Sequence, residues 1–421
     1  MTRPAKEKPI MMIRRSLLSA LMLSLCAPLW AAQRVDLDYH VRFLPESDQA
    51  EVSLTLGNGE RVHSLAFNLG DKGYYSDFSA DGEWTQESPE RGVWQPAKGL
   101  AKLSYRVRIN HPHPRLQDRF AARMTEDWAL LRGDDLVPSA VLRQQDKTEL
   151  VARLQFELPK GWRGVETGWP RIGKHRFRID NPLRKFDRPT GWIVAGKIGT
   201  RRARLGETDV AVAAPIGEGM RRMDILTLLT FVWPEAQAVF PRDPAKLLIV
   251  GAGDPMWRGG LSAPNSYYMH ADRPLVSENG TSSLVHELVH VFSRIQARDR
   301  SDWITEGLAE YYAIELVRRA GGLNEDRYQA VREQLIRWSK PVKSLRSSNA
   351  SGPVTARAVL LLQELDREIR QKTKGNTQPR SLDDVTRGLM RLDKASTKDF
   401  IEISENVMGD RSEVLDSKLL K

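Results

Sequence analysis

The sequence has one cysteine, Cys26, among its 421 residues, and it has no long apolar run. A single thiol excludes an intrachain disulfide and a zinc site built from several thiolates. No apolar stretch approaches the ~20 residues of a bilayer-spanning helix, which excludes a multispanning membrane protein. Glycine, at 30 residues, is too scarce for a collagen-like chain. Hydrophobic residues make up 41%, enough for a sizeable core, and the length predicts two to three domains of roughly 150 residues.

The first 32 residues have the pattern of a secretory signal peptide. Five Lys and Arg residues precede a twelve-residue apolar run, Ser16 to Ala27, and small residues follow at Ala31 and Ala32. A basic stretch, ~7–15 apolar residues and a small-residue cleavage site are typical of such signals. An uncleaved anchor is the weaker alternative because the run is too short to cross a bilayer. We therefore predict a periplasmic or secreted protein, with no stable membrane span after cleavage.

Removal of residues 1–32 changes the charge and the cysteine count. The net charge falls from +10 to +6, because five Lys or Arg and one Glu leave with the signal, and so does Cys26. The remaining basic residues are scattered, and the densest group, Arg201–Arg204, is interpreted as a solvated linker. No basic stripe with interleaved aromatic residues occurs, so we expect no nucleic-acid partner.

The hydrophobic period divides the chain into two regions. From Val35 to about Gly199, segments such as VDLDYHVRF and LAKLSYRVRI alternate apolar and polar residues, which predicts an antiparallel β-sandwich. After a polar stretch near 200–206 the pattern predicts strands over 246–251 and 265–270 and helices over 220–240, 281–297, 302–320, 325–338, 354–371, 381–391 and 397–407. We therefore predict an α+β chain with a β-rich domain, residues 33–205, and a second domain, residues 206–421.

The segment TSSLVHELVHVFSRI, residues 281–295, carries the strongest chemical signal. Its apolar residues recur at helical spacing, so His286 and His290 point the same way from adjacent turns. Two imidazoles at this spacing can bind one Zn²⁺ ion, with Glu287 beside the metal. The alternative is a helix with two buried histidines, an arrangement that is costly without a metal. We predict one zinc ion per chain.

A second helix supplies the candidates for a third ligand. Glu306 follows His290 by sixteen residues, in the segment SDWITEGLAEYYAIELVRRAGG, and Glu310 lies one turn later on the same face. Catalytic zinc takes three protein ligands and keeps one open position. We predict that Glu306 is the third ligand and that Glu310 orients a ligand histidine through its other ring N–H. The alternative is that both carboxylates lie on a solvated face.

These residue types predict hydrolysis of peptide bonds. Zinc lowers the pKa of its bound water to ~7, and Glu287 is placed to take the proton as general base. The expected partner is a peptide or protein substrate. The alternative is a catalytically weak zinc protein that binds a peptide or a protein partner along residues 259–270.

The motif HELVH and the later segment WITEGLAEYY resemble those of the gluzincin metallopeptidases, the thermolysin-like group whose third zinc ligand is a Glu on the next helix. The chain is most similar to the glycyl-aminopeptidase-like family, over much of 246–421. This resemblance implies an N-terminal β domain before a thermolysin-like domain, and we expect the chain to lack the PDZ domain with which members often end. The segment GGLSAPNSYYMH, residues 259–270, resembles the family's edge strand, which implies that Gly260, Leu261 and Ser262 bind substrate.

Two positions depart from the family pattern. Ser262 stands where aminopeptidases of the family have a Glu that holds the α-amino group of the substrate, so aminopeptidase and endopeptidase activity both stay open. Thr355 stands where the family has a Tyr that stabilises the oxyanion. Loss of such a donor typically costs ~10²–10³ in turnover unless another group replaces it. The candidate replacements are Tyr267, Tyr268, Tyr311 and Arg357.

Overall fold

The computed structural model describes residues 33–180, 186–278 and 280–421. The predicted signal peptide, residues 1–32, lies outside these ranges. Within them, no helix combines the length and the apolar character that a membrane span requires. The described residues form four β-sheets and eight α-helices, which confirms the expected α+β class.

Sixteen strands and one short α-helix occupy the first half of the described chain. The strands are β1 (Gln33–Leu44), β2 (Gln49–Leu56), β3 (Val62–Asn68), β4 (Tyr75–Ala80), β5 (Gly82–Ser88), β6 (Arg91–Pro96), β7 (Ala101–Arg108), β8 (His111–His113), β9 (Leu116–Met124), β10 (Trp128–Arg132), β11 (Ala140–Gln144), β12 (Thr148–Glu157), β13 (Gly164–Thr167), β14 (Arg171–Gly173), β15 (Arg176–Ile179) and β16 (Trp192–Gly196). The short helix is α1 (Gly133–Leu136).

Five strands and seven helices form the second half. The strands are β17 (Ile198–Leu205), β18 (Thr208–Pro215), β19 (Lys246–Val250), β20 (Gly260–Ala263) and β21 (Ser266–Met269). The helices are α2 (Arg222–Val239), α3 (Ser283–Ser293), α4 (Asp302–Arg319), α5 (Glu325–Ser339), α6 (Pro353–Lys372), α7 (Leu382–Leu389) and α8 (Thr397–Met408). Each helix predicted after residue 206 is present, with ends shifted by a few residues.

Two of the N-terminal sheets share one core. A seven-stranded sheet, ordered β14-β15-β12-β1-β2-β7-β4, and a four-stranded sheet, ordered β11-β3-β6-β5, both contribute to the same buried cluster. The expectation of purely antiparallel pairing is wrong at one place, because β1 and β12 run parallel from Gln33–Thr148 to Arg42–Glu157. The period of two determines which face of a strand is buried, but it carries no information about the direction of the neighbouring strand.

A five-stranded sheet, ordered β13-β16-β10-β9-β8, lies between the N-terminal core and the second half of the chain. Alternate residues of β10 and β16 contribute to two different buried clusters. Leu131 and Ile193 belong to the N-terminal core, whereas Leu130 and Val194 pack in a cluster with Leu248 of β19. This middle sheet is therefore covered on both faces, which explains why every residue of β16 is buried.

The last sheet, ordered β17-β18-β19-β21-β20, carries the helices on its far face. The interpretation of Arg201–Arg204 as a linker is wrong, because these residues lie in β17 and pair with β18 over the whole hairpin. Charged side chains are typical of an edge strand such as β17, which they protect from pairing with another chain. A domain boundary between residues 205 and 206 would fall in the turn of this hairpin, and the division into two domains stays a prediction.

Candidate metal centre

Helix α3 holds His286 and His290 on the side that faces α4. Its N-cap is Ser282, whose side chain accepts a hydrogen bond from the N–H of Val285 at 3.3 Å. The apolar face, which includes Leu288, is buried in the core beneath the last sheet. The predicted helix is longer than the observed one, because Arg294 adopts a left-handed conformation, with φ of 51°, and ends α3.

Three of the predicted ligand atoms converge. The Nε2 atoms of His286 and His290 lie 3.2 Å apart. Carboxylate oxygens of Glu306, on α4, lie 3.3 Å from the first of these nitrogens and 3.6 Å from the second. Oε2 of Glu310 lies 2.9 Å from Nδ1 of His286, and the role of Glu310 as an orienting residue stays a prediction. The four side chains are partly buried, between 16% and 30% exposed.

The donor set fits zinc. Ligands at ~2.0–2.1 Å from a tetrahedral ion lie roughly 3.3 Å from one another, and the three observed separations are 3.2, 3.3 and 3.6 Å. When Nδ1 of His286 donates its proton to Glu310, the lone pair of Nε2 points into the space between the three atoms. Two imidazoles and a carboxylate are also among the ligand types that zinc prefers.

The electrostatic environment of the cluster shifts the pKa values of the two histidines in opposite directions. Burial lowers the pKa of His286, but hydrogen bonds to Glu306 and Glu310 together outweigh burial and raise this pKa to about 10. Burial and the neighbouring imidazole lower the pKa of His290. For Glu306, burial alone would raise the pKa, but the two histidines lower it. The two carboxylates therefore favour positive charge at His286, where a bound cation would supply it instead.

Glu287 belongs to α3, and its side chain reaches the edge strand β20. One of its oxygens, Oε2, accepts a hydrogen bond from the backbone N–H of Ser262 at 3.0 Å. The edge strand therefore contacts the predicted general base through its main chain. The side chain of Ser262 is partly exposed. Leu261 is 41% exposed. Gly260 packs so closely against the Tyr267 hydroxyl that a Cβ atom there would overlap it.

Two adjoining cavities open beside the cluster. The larger, of about 520 Å³, is lined by Glu306, by Trp338 of α5 and by Thr355 of α6. The smaller, of about 290 Å³, is lined by Glu287 and by Arg273. His286 and Glu310 line both cavities, so the cluster of predicted ligands lies between the two cavities.

Two of the candidate oxyanion donors lie away from the cluster. Tyr268 donates its hydroxyl to the Trp257 carbonyl at 2.8 Å, and Tyr311 lies in a different, polar cavity among α4, α5 and α6. Among the described residues, neither Tyr267 nor Arg357 lines the two cavities at the cluster. Thr355 lines the larger cavity, to which it presents only a short hydroxyl.

Sequence reasoning missed Arg273 and the wall that Trp338 provides. Arg273 lies in the segment between β21 and α3, which has no hydrophobic period to indicate where its side chains point. Trp338 is 52% exposed near the end of α5, and its position in the helical pattern does not distinguish it from other residues of that helix. Only the placement of α5 against α6 brings it to the cavity.

Neither protein-family models nor curated proteins match this chain. Solved structures do. An aminopeptidase N family protein from Idiomarina loihiensis is 15% identical, with a TM-score of 0.64, and the match covers 90% of this chain and 72% of that one. An M1 zinc metallopeptidase from Deinococcus radiodurans, in a mutant form bound to a Tyr-Ser-Ala substrate, is 14% identical, with a TM-score of 0.56, and the match covers 92% and 94%. The described chain therefore has the fold of M1 zinc metallopeptidases over about nine tenths of its length.

Proposed function

We propose that this chain is an exported zinc metallopeptidase that hydrolyses peptide bonds, with Glu287 as general base. The observation that carries the proposal is the convergence of His286, His290 and Glu306 at separations of 3.2 to 3.6 Å. The shared fold with M1 zinc metallopeptidases supports it. Export rests on the sequence of residues 1–32, and the mass of the mature protein from the periplasm or medium would test it.

The residues around the cluster would each perform one step. A zinc ion held by the three ligands would supply Lewis acidity, which acidifies water and polarises a carbonyl group. Glu310 fixes the ring of His286 by accepting its Nδ1 proton. Glu287 takes the proton of the attacking water and returns it to the leaving amine. The N–H of Ser262 donates to Oε2 of Glu287 and so restrains the orientation of this carboxylate.

A peptide is the substrate class that the surroundings favour. Strand β20 is an edge strand beside α3, and an extended peptide can add to such an edge through main-chain hydrogen bonds. The cavity of about 520 Å³ has apolar walls from Val331, Leu335 and Trp338 and can take a large apolar side chain. The Deinococcus radiodurans relative binds Tyr-Ser-Ala, which agrees with a short peptide as ligand.

The alternative is a zinc protein that binds peptides and cleaves them poorly. The observation in its favour is Thr355, which gives the larger cavity a short hydroxyl where the resemblance implies a tyrosine. Loss of an oxyanion donor costs ~10²–10³ in turnover. Because Ser262 carries no charge, nothing on β20 holds an ammonium group, and we propose no preference for free N-termini.

The test combines zinc analysis with hydrolysis of an unbiased peptide library by the purified protein. We expect one zinc per chain, and cleavage that is lost in Glu287→Ala and kept in the control Glu402→Ala, an exposed glutamate of α8. The cut positions would distinguish an aminopeptidase from an endopeptidase. Stoichiometric zinc without cleavage would favour the binding protein, and absence of zinc would contradict both functions.

A further inference from the structure

The smaller cavity is lined by one arginine, Arg273, beside two carboxylates. The cavity, of about 290 Å³, is lined by Glu287 and Glu310 as well as by His286. Arg273 is partly buried, and in the described ranges no ion pair or side-chain hydrogen bond involves its guanidinium. This differs from other partly buried arginines of the chain, such as Arg319, which pairs with Asp383 at 2.9 Å.

The two carboxylates of the cavity do not depend on Arg273 for neutralisation. Glu310 lies 2.9 Å from Nδ1 of His286, and Glu287 accepts the N–H of Ser262 at 3.0 Å. Burial and Glu287 raise the pKa of Tyr267, and the positive charge of Arg273 opposes this rise. A partly desolvated guanidinium with no acidic partner is costly, and an incoming anion would compensate that cost.

The main chain around Arg273 is held in place. Its own N–H donates to the His270 carbonyl at 3.1 Å. Further along, the Ser282 hydroxyl donates to the Leu275 carbonyl at 2.5 Å. These bonds join the segment to the end of β21 and to the N-cap of α3. The guanidinium is therefore carried by a fixed segment beside the predicted general base, as a preorganised binding group requires.

We propose that Arg273 binds a carboxylate of the substrate in this cavity, so that the peptidase prefers peptides with a carboxylate close to the bond that is cleaved. A planar guanidinium recognises a carboxylate by two parallel hydrogen bonds. The carboxylate is either the C-terminal group of a short peptide or an acidic side chain. This inference rests on the proposed function, because it names the substrate class of the same site.

The test measures binding separately from hydrolysis. The zinc-loaded Glu287→Gln chain is titrated calorimetrically with Tyr-Ser-Ala, with its C-terminal amide, and with Tyr-Ser-Glu amide. We expect the free acid to bind about 10- to 100-fold more tightly than the amide. Adding Arg273→Ala should abolish this preference, and Arg273→Lys should keep part of it. Arg143→Ala, at an exposed position of β11, is the matched control and should keep all of it.

The third peptide distinguishes the two sources of the carboxylate. Tight binding of Tyr-Ser-Glu amide would identify an acidic side chain, and weak binding would identify the C-terminal group. In the active chain, Arg273→Ala should raise KM for the preferred peptide and leave kcat nearly unchanged, because the contact is made equally in substrate and transition state.

The proposal is overturned if Tyr-Ser-Ala and Tyr-Ser-Glu amide both bind no more tightly than Tyr-Ser-Ala amide, if no peptide binds, or if the preference survives Arg273→Ala. An equal loss of kcat on all peptides would also overturn it, since that result identifies an oxyanion donor instead. Failure of the proposed function is a different result. A wild-type chain that binds the acid selectively but hydrolyses nothing would contradict the peptidase and leave the role of Arg273 intact.

Discussion

Strand β1 and helix α3 both bury one face, but they differ in where their charged residues and histidines lie. These residues are on the surface in β1 and partly buried in α3. In β1 the buried positions, such as Leu37 and Val41, are apolar, and charges such as Asp36 pair with Arg153 on the surface. In α3, His286 and His290 lie partly buried and face the carboxylate of Glu306. Surface ion pairs contribute ~0–1 kcal/mol, whereas buried ionisable groups are costly unless a partner compensates them. The α3 arrangement therefore indicates chemistry, and the β1 arrangement indicates only a fold.

The largest expected effect comes from removing one of the partly buried histidines of α3. In His290→Ala only two ligands remain, so we expect zinc content to fall from one per chain to near zero and hydrolysis to disappear. His40→Ala is the matched control, because His40 lies on β1 with its side chain 47% exposed. Metal analysis and peptide hydrolysis measure both variants. Full zinc occupancy in His290→Ala would mean that the ion binds elsewhere.

A substitution on the buried face of β1 should change stability but not zinc binding. Leu37 is fully buried, so Leu37→Ala should lower the free energy of unfolding by about 2–5 kcal/mol through lost transfer energy and a cavity. Zinc affinity of the folded protein should not change, because the seven-stranded sheet holds no ligand. Urea unfolding and zinc titration measure the two quantities. Val141→Ala, at a site 66% exposed, should have little effect, and a comparable loss there would contradict the assigned core.

A smaller effect is expected from the residue that orients a ligand. Removal of Glu310 leaves all three ligands in place but frees the ring of His286, so Glu310→Ala should weaken zinc binding by about 10- to 100-fold. Glu310→Gln, which keeps an acceptor oxygen, should recover part of the affinity. Competition with a chelator of known affinity measures the change. Unchanged affinity in both variants would remove Glu310 from the centre.

The smallest effect concerns a carboxylate that stabilises the fold alone. Asp384 accepts the N–H of Ser381 at 3.0 Å and closes the capping box of α7. Asp384→Asn should cost about 1 kcal/mol at neutral pH and leave zinc binding unchanged. Burial opposes the charged form, but the cap and two arginines lower the pKa of Asp384 below its usual value.

The sign of the pH dependence follows from this lowered pKa. The stabilisation is complete above the pKa of the unfolded chain and is lost as the pH falls through the lower pKa of the folded state. Urea unfolding of Asp384→Asn and wild type at pH 7 and at pH 3 should therefore give a smaller difference at the acidic pH. The exposed Asp393→Asn is the control, and a difference that grows with acidity would contradict the assignment.

The sequence predicted the parts of the molecule that depend on local spacing. His286 and His290 are one helical turn apart, so their common direction follows from the helix itself, and alternation along β1 predicted its buried face. The parallel pairing of β1 with β12 could not be predicted, because it joins residues more than a hundred positions apart. Arg273 was missed for a related reason, since its segment has no period and its place depends on the packing of β21 against α3.

The close packing at Gly260 limits how the specificity of this site can be redesigned. The Tyr267 hydroxyl occupies the space of any side chain at this position, so a substitution there would displace the strand. Ser262 is partly exposed two residues later, with its main chain already bonded to Glu287. An engineer who wants an anionic anchor for free N-termini would therefore leave Gly260 unchanged and substitute Ser262, whose side chain is not buried.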